Sequence, residues 1–123
     1  MASITVLVGE PPYGKERVYS AFRFALAALY EGHDVNLFLL EDAVFAAKKG
    51  QNPVEVQGLL DGKMPNCGEL LAEAIKQGAV VKCCGVCCSE RGLKQEYLLD
   101  GVEIGSMRDL VAWVVETDKF VSF

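Results

Sequence analysis

Short apolar runs of strand length alternate with segments of helical periodicity along the chain, and that alternation restricts it to βαβ units around a mainly parallel sheet. Ile4 to Val8 and Val35 to Leu40 are runs suited to strands buried on both faces. Between them, from Glu16 to Glu31, apolar residues fall at Val18, Ala21, Phe22, Ala25 and Leu29, a helical spacing that stops at Gly32. A short helix is expected over Glu41 to Lys49, then an irregular stretch from Pro53 to Pro65. Asn66 with Glu69 reads as a capping box opening a helix that ends at Gly78. Ala79 to Cys83 or Cys84 is the third strand, and a turn at Gly85 leads into a helix expected to run through Arg91 to Tyr97. Val102 to Ile104 is the fourth strand. Ser106 and Asp109 open a last helix with Met107, Leu110, Val111, Val114 and Val115 along one face, and Lys119 to Phe123 is the fifth strand.

A length of 123 residues suits one domain, 1–123, with a core of its own. Seventeen acids against twelve scattered bases, a net charge of −5, argue against a nucleic-acid partner, which needs clustered Lys and Arg. No apolar run reaches the ~18 residues of a membrane span, and no signal-peptide pattern opens the chain. A cytoplasmic protein with no membrane partner is therefore expected.

Two local patterns invite a functional reading. The stretch Gly9 to Glu16 follows a strand and nearly spells a phosphate loop. Its eighth position is Glu16 where a hydroxyl should bind magnesium, and Pro11 and Pro12 lack the N–H groups that cradle phosphate. It reads as a tight turn. His33, the one histidine, reads as a polar turn residue between a helix and a strand.

Chemistry is concentrated instead in Cys83-Cys84-Gly85-Val86-Cys87-Cys88, which holds four of the five cysteines. Such a cluster cannot staple distant parts of a fold, and a reducing compartment disfavours a disulfide framework. Cys84-Gly85-Val86-Cys87 is a C-x-x-C between a strand and a helix, which suits thiol–disulfide exchange. The proline that faces a thioredoxin-like site is missing, because all four prolines precede the cluster. Zinc is disfavoured within one chain: Cys83 and Cys84 are adjacent on a strand and point to opposite faces, so four thiolates cannot easily close on one ion. A third chemistry is nucleophilic sulfur chemistry, and the plain alternative is that Cys83, Cys87 and Cys88 are small apolar filler. An ordinary thiol is only about 3% thiolate at pH 7, so a reactive one needs a lowered pKa, and Arg91 is near enough in sequence to help. Cys67, apart from the cluster, reads as small apolar filler.

Several segments together resemble the DsrE/DsrF-like proteins of the YchN-like fold: Pro12-Tyr13-Gly14, Gly32-His33-Asp34-Val35, Cys84-Gly85-x-Cys87-x-x-x-Arg91-Gly92 and Ser106-Met107-Arg108-Asp109-Leu110. The resemblance covers nearly the whole chain. It implies a five-stranded, three-layer α/β/α domain and a homo-oligomer, a trimer or a hexamer. It also implies a sulfur-relay role that passes sulfane sulfur as a cysteine persulfide between donor and acceptor proteins, with no cofactor. The position seven residues before Arg91, here Cys84, is where sulfur-relay members keep the acceptor. On this reading Cys84 accepts sulfur, Cys87 resolves it or passes it on, and Arg91 stabilises the anion. Gly85, Gly92, Cys83 and Cys88 frame the site, Cys83 and Cys88 being thiols beyond the simple pattern. The competing readings are a non-catalytic oligomeric module that binds a metal or partner through the cluster, and a dithiol oxidoreductase. The apolar Val44-Phe45-Ala46-Ala47 segment is one candidate contact surface between copies.

Overall fold

A computed structural model describes residues 1–53 and 66–123. The irregular stretch expected up to Pro65 therefore lies, apart from Pro53, outside the described residues. In chain order the elements are β1 (Ser3–Val8), α1 (Arg17–Tyr30), β2 (Asp34–Leu39), a 3-10 segment (Glu41–Ala47), α2 (Cys67–Lys76), β3 (Val80–Cys84), α3 (Gly85–Glu90), a second 3-10 turn (Gln95–Tyr97), β4 (Val102–Gly105), α4 (Met107–Glu116) and β5 (Lys119–Ser122). The described strands form one sheet in the order β4-β3-β2-β1-β5, and each neighbouring pair is parallel.

Chirality then dictates the layers. From β1 to β4 the chain steps across the sheet in one direction, so right-handed crossovers carry the connecting helices to one face. The return from β4 to β5, past β1, runs the other way, and the same handedness puts α4 on the opposite face. Side chains follow that division. Val35, Leu37 and Leu39 of β2 are buried on the α1 and α2 side, while Phe38 between them meets Trp113 of α4 edge-on at 6.1 Å between ring centroids. Thr5 of β1 is fully buried on the α4 side, where its hydroxyl bonds that of Thr117 at 2.8 Å. A capping box at Ser106 and Asp109 starts α4 as the sequence indicates, and the Asn66 side chain caps α2 by accepting from the Glu69 N–H.

Two expectations need correction, and a third point concerns the exposure of α4. The helix after Gly85 ends at Glu90 and does not reach Tyr97. Gly92 takes φ +69°, and the Leu93 N–H turns back to the Cys88 carbonyl, so the chain leaves the helix there. Val44, Ala46 and Ala47 are fully buried, so this segment is core and not a contact surface. It follows β2 directly and packs against α2, α3 and β3. Finally, of the apolar residues of α4 read as one face, only Leu110 is buried; Met107, Val111, Val114 and Val115 are exposed.

Candidate functional site

The cysteine cluster sits beyond the carboxyl end of β3, where sites form in parallel sheets. Strand alternation sends Cys83 and Cys84 to opposite faces: Cys83 lies level with Leu39 of β2, on the α1 and α2 side, and Cys84 level with Gly105 of β4. The turn into α3 then brings the next two thiols back against them. Cys87 lines the same cleft as Cys84, and Cys88 is enclosed as Cys83 is. Two thiol pairs result. All five cysteines are free thiols.

The pairs differ in access. Cys83 and Cys88 are almost wholly enclosed, whereas Cys84 and Cys87, at 5% and 6% exposure, line a cleft of about 550 Å³. Its walls come from three strand ends: Leu40 and Glu41 after β2, Gly85, Val86 and Glu90 after β3, and Gly105, Ser106 and Met107 at the end of β4. Glycine at position 85 suits this packing, since a Cβ there would stand 3.2 Å from the Gly105 carbonyl oxygen and from the Ile104 methyl, and both would have to give by a few tenths of an ångström. Gly92 is outside the cleft and ends α3.

Electrostatics separates Cys83, Cys87 and Cys88. The side-chain contact with Cys88, reinforced by burial, pushes Cys83 far up and keeps it protonated, and the same contact draws Cys88 down. Burial, then the Cys84 thiol, push Cys87 up, while the Glu41 main-chain N–H and the Arg91 charge pull it the other way. Arg91 does not point into the cleft. Its Nε bonds Asp42 at 2.9 Å, its Nη1 donates to the Cys87 carbonyl at 3.2 Å, and it also approaches Glu90. It thus fastens α3 to the turn after β2.

The residues set aside in the sequence are occupied structurally. Burial lifts Cys67 to about 11, and its thiol donates to the Pro12 carbonyl at 3.3 Å. His33 Nδ1 accepts from the Ala2 N–H at 2.9 Å, at the amino-terminal end of the strands and away from the cleft. In the proline loop Lys15 pairs with Glu10, and Tyr13 donates to Gln51 at 2.6 Å. Among the described residues no group of three or more Cys, His, Asp or Glu is arranged to hold a metal, and no helix is long and apolar enough to cross a membrane. Glu41, Asp42 and the β4 end were missed in the sequence as parts of the site. The signal available was positional, because each lies at the carboxyl end of a parallel strand.

Comparison with known proteins matches the model of the DsrE/DsrF-like family to residues 2–123. An uncharacterized protein of Methanocaldococcus jannaschii is 56% identical over 119 residues, covering 97% of each chain. The protein YchN of Escherichia coli is 34% identical over the full length of both, and its crystal structure superposes with a TM-score of 0.89. A protein of unknown function from Methanobacterium thermoautotrophicum, at 13% identity and a TM-score of 0.77, shares the fold.

Proposed function

The chain belongs to the DsrE/DsrF-like family, which is associated in general with sulfur relay, and on that premise we propose that it carries sulfane sulfur as a persulfide on Cys84. The observation that supports this most is that Cys84 and Cys87 both line one largely apolar cleft. The Cys84 thiolate attacks the outer sulfur of a donor persulfide, R–S–SH. The donor S–S bond breaks, R–S⁻ leaves and takes up the proton, and the outer sulfur stays as Cys84–S–SH. Cys87 then passes it on by the same exchange. Alternatively it attacks the inner sulfur, which closes a Cys84–Cys87 disulfide and releases hydrogen sulfide. Apolar walls keep water from competing with these exchanges.

The reading extends to assembly and place. We propose a cytoplasmic homo-oligomer, a trimer or hexamer, that meets sulfur donor and acceptor proteins. The exposed Met107, Val111, Val114 and Val115 of α4 support the assembly, because an exposed apolar stripe of this kind is ordinarily covered.

Incubation with a small-molecule persulfide, followed by intact mass, tests the function. A gain of about 32 Da that reductant removes is expected. A loss of about 2 Da in the wild type, with no gain of about 32 Da in Cys87→Ser where that disulfide cannot close, would indicate a dithiol oxidoreductase, and an unchanged mass a binding module.

A further inference from the structure

The cleft that holds Cys84 and Cys87 carries a charge pattern that sulfur exchange by itself does not require. Besides the thiols, its titratable lining residues are Glu41 and Glu90, and no lysine or arginine is among the described residues that line it. Both glutamates are exposed to solvent. The guanidinium beside them, that of Arg91, is already engaged. Its Nε bonds Asp42 at 2.9 Å, and its Nη1 donates to the Cys87 carbonyl at 3.2 Å and stands 3.8 Å from the Glu90 carboxylate. Glu41, Asp42 and Glu90 against Arg91 leave a balance of two negative charges at this rim. Toward β4, Lys82 is likewise paired, with Asp109 at 3.4 Å. Arg108 lines a neighbouring groove that shares Met107 with the cleft, but it does not line the cleft itself. The other walls are largely apolar, with Leu40, Val86 and Met107. Low-dielectric walls of this kind focus the field of the rim charges on whatever enters.

We infer that the cleft selects its sulfur donors by charge: Glu41 and Glu90 turn away anionic donors such as thiosulfate and admit persulfides carried in neutral or basic surroundings. This rests on the reading of Cys84 as the sulfur acceptor, and it adds the class of donor. Thiosulfate holds a sulfur of the same kind. The Cys84 thiolate would attack its outer sulfur, the S–S bond would break, and sulfite would leave with the electron pair. Thiosulfate enters as a dianion, however, so a site for it needs cationic side chains in contact, and here the charged lining residues are carboxylates. A persulfide R–S–SH reacts as the neutral species, and R–S⁻ takes up the proton as it leaves, so no unpaired anion has to enter. At separations on the order of 10 Å in a water-like medium, two unit charges lower the local concentration of a monovalent anion about fourfold. The factor squares for a dianion.

Alkylation tests this without any sulfur donor, so it can fail while the relay stands, and the relay can fail while it succeeds. Iodoacetamide and iodoacetate are nearly the same size, and only iodoacetate carries a charge. Both meet the same thiolate, so its population cancels in the ratio of their rates. Tandem mass spectrometry assigns the label to Cys84 or Cys87. At low ionic strength the iodoacetate-to-iodoacetamide ratio in the folded wild type should be about fourfold lower than in the same chain unfolded in urea. It should recover toward the unfolded value in about 1 M salt, where the screening length falls to about 3 Å. It should recover equally, at low ionic strength, in the double variant Glu41→Gln, Glu90→Gln. A folded ratio equal to the unfolded one would overturn the inference, and so would a higher one, which would show that Arg108 governs the entrance. A low ratio that neither salt nor the two substitutions raise would overturn it too, because shape and not charge would then discriminate. Loading by thiosulfate as fast as by an uncharged persulfide contradicts it directly.

Discussion

Buried thiols respond to pH in opposite ways depending on what surrounds them, and Cys67 is the simplest instance in this chain. It is 1% exposed, and burial alone raises its pKa from an ordinary value of 9 to about 11. Below pH 9 it is protonated in both folded and unfolded chains and has no effect on the pH dependence. Between 9 and 11 the unfolded chain ionises while the folded one resists, so stability is lost as pH rises through that window. The contribution of this one thiol is about 2–3 kcal/mol across it. Cys67→Ala should flatten that part of the stability-against-pH curve in denaturant melts; an unchanged slope would show the thiol to be less enclosed than described. At the cleft, the division of labour among residues was only partly legible. Cys84, Gly85 and Cys87 were expected at the carboxyl end of a strand, and they line the cleft at that end of β3. The pairing of Cys83 with Cys88 follows from adding strand alternation to one helical turn, yet it needs the turn angle at Gly85, which no sequence pattern states. Arg91 was read as the partner of an anion, and its bond to Asp42, 49 positions away, could not be read from local spacing.

At the scale of elements, α3 shows why a helix boundary is harder to read than a helix. Residues 85–97 carry no proline, and the spacing alone would let the helix run on; what stops it is Gly92 at φ +69°. Placing alanine there forces a side chain into the left-handed region, so Gly92→Ala should destabilise the protein by about 1–2 kcal/mol with little change in the cleft thiols. A chemical-denaturation series checks this, and a neutral outcome would mean that the α3 end is free to rearrange. The segment after β2 was misread for a related reason. Val44-Phe45-Ala46-Ala47 is apolar whether it faces a partner or the core, and only the tertiary fold distinguishes the two. By contrast, α1, α2 and the capped start of α4 were legible because their caps and stripes are local devices.

For the molecule as a whole, the alternation of strands and helices was enough to give the parallel sheet. The handedness of crossovers then leaves few arrangements once the last strand is known to return beside β1. The strand order itself was not legible, since each parallel strand is buried by a similar apolar run. Among the described helices the same topology leaves α4 alone on its face, with Met107 52%, Val111 58% and Val115 78% exposed. Replacing Val111 and Val115 together by aspartate should convert the proposed oligomer to a species of 13.4 kDa in light scattering while the circular dichroism of the fold persists. An unchanged assembly would move the interface elsewhere on the surface.

The central claim, that Cys84 accepts the sulfur, is tested most directly by loading each single cysteine-to-serine variant with the same persulfide donor and locating the added mass by peptide. The account predicts a gain of about 32 Da on the peptide containing Cys84 in the wild type, its loss in Cys84→Ser, and most of it retained in Cys88→Ser. Undiminished loading in Cys84→Ser, or a first label on Cys67, would contradict it.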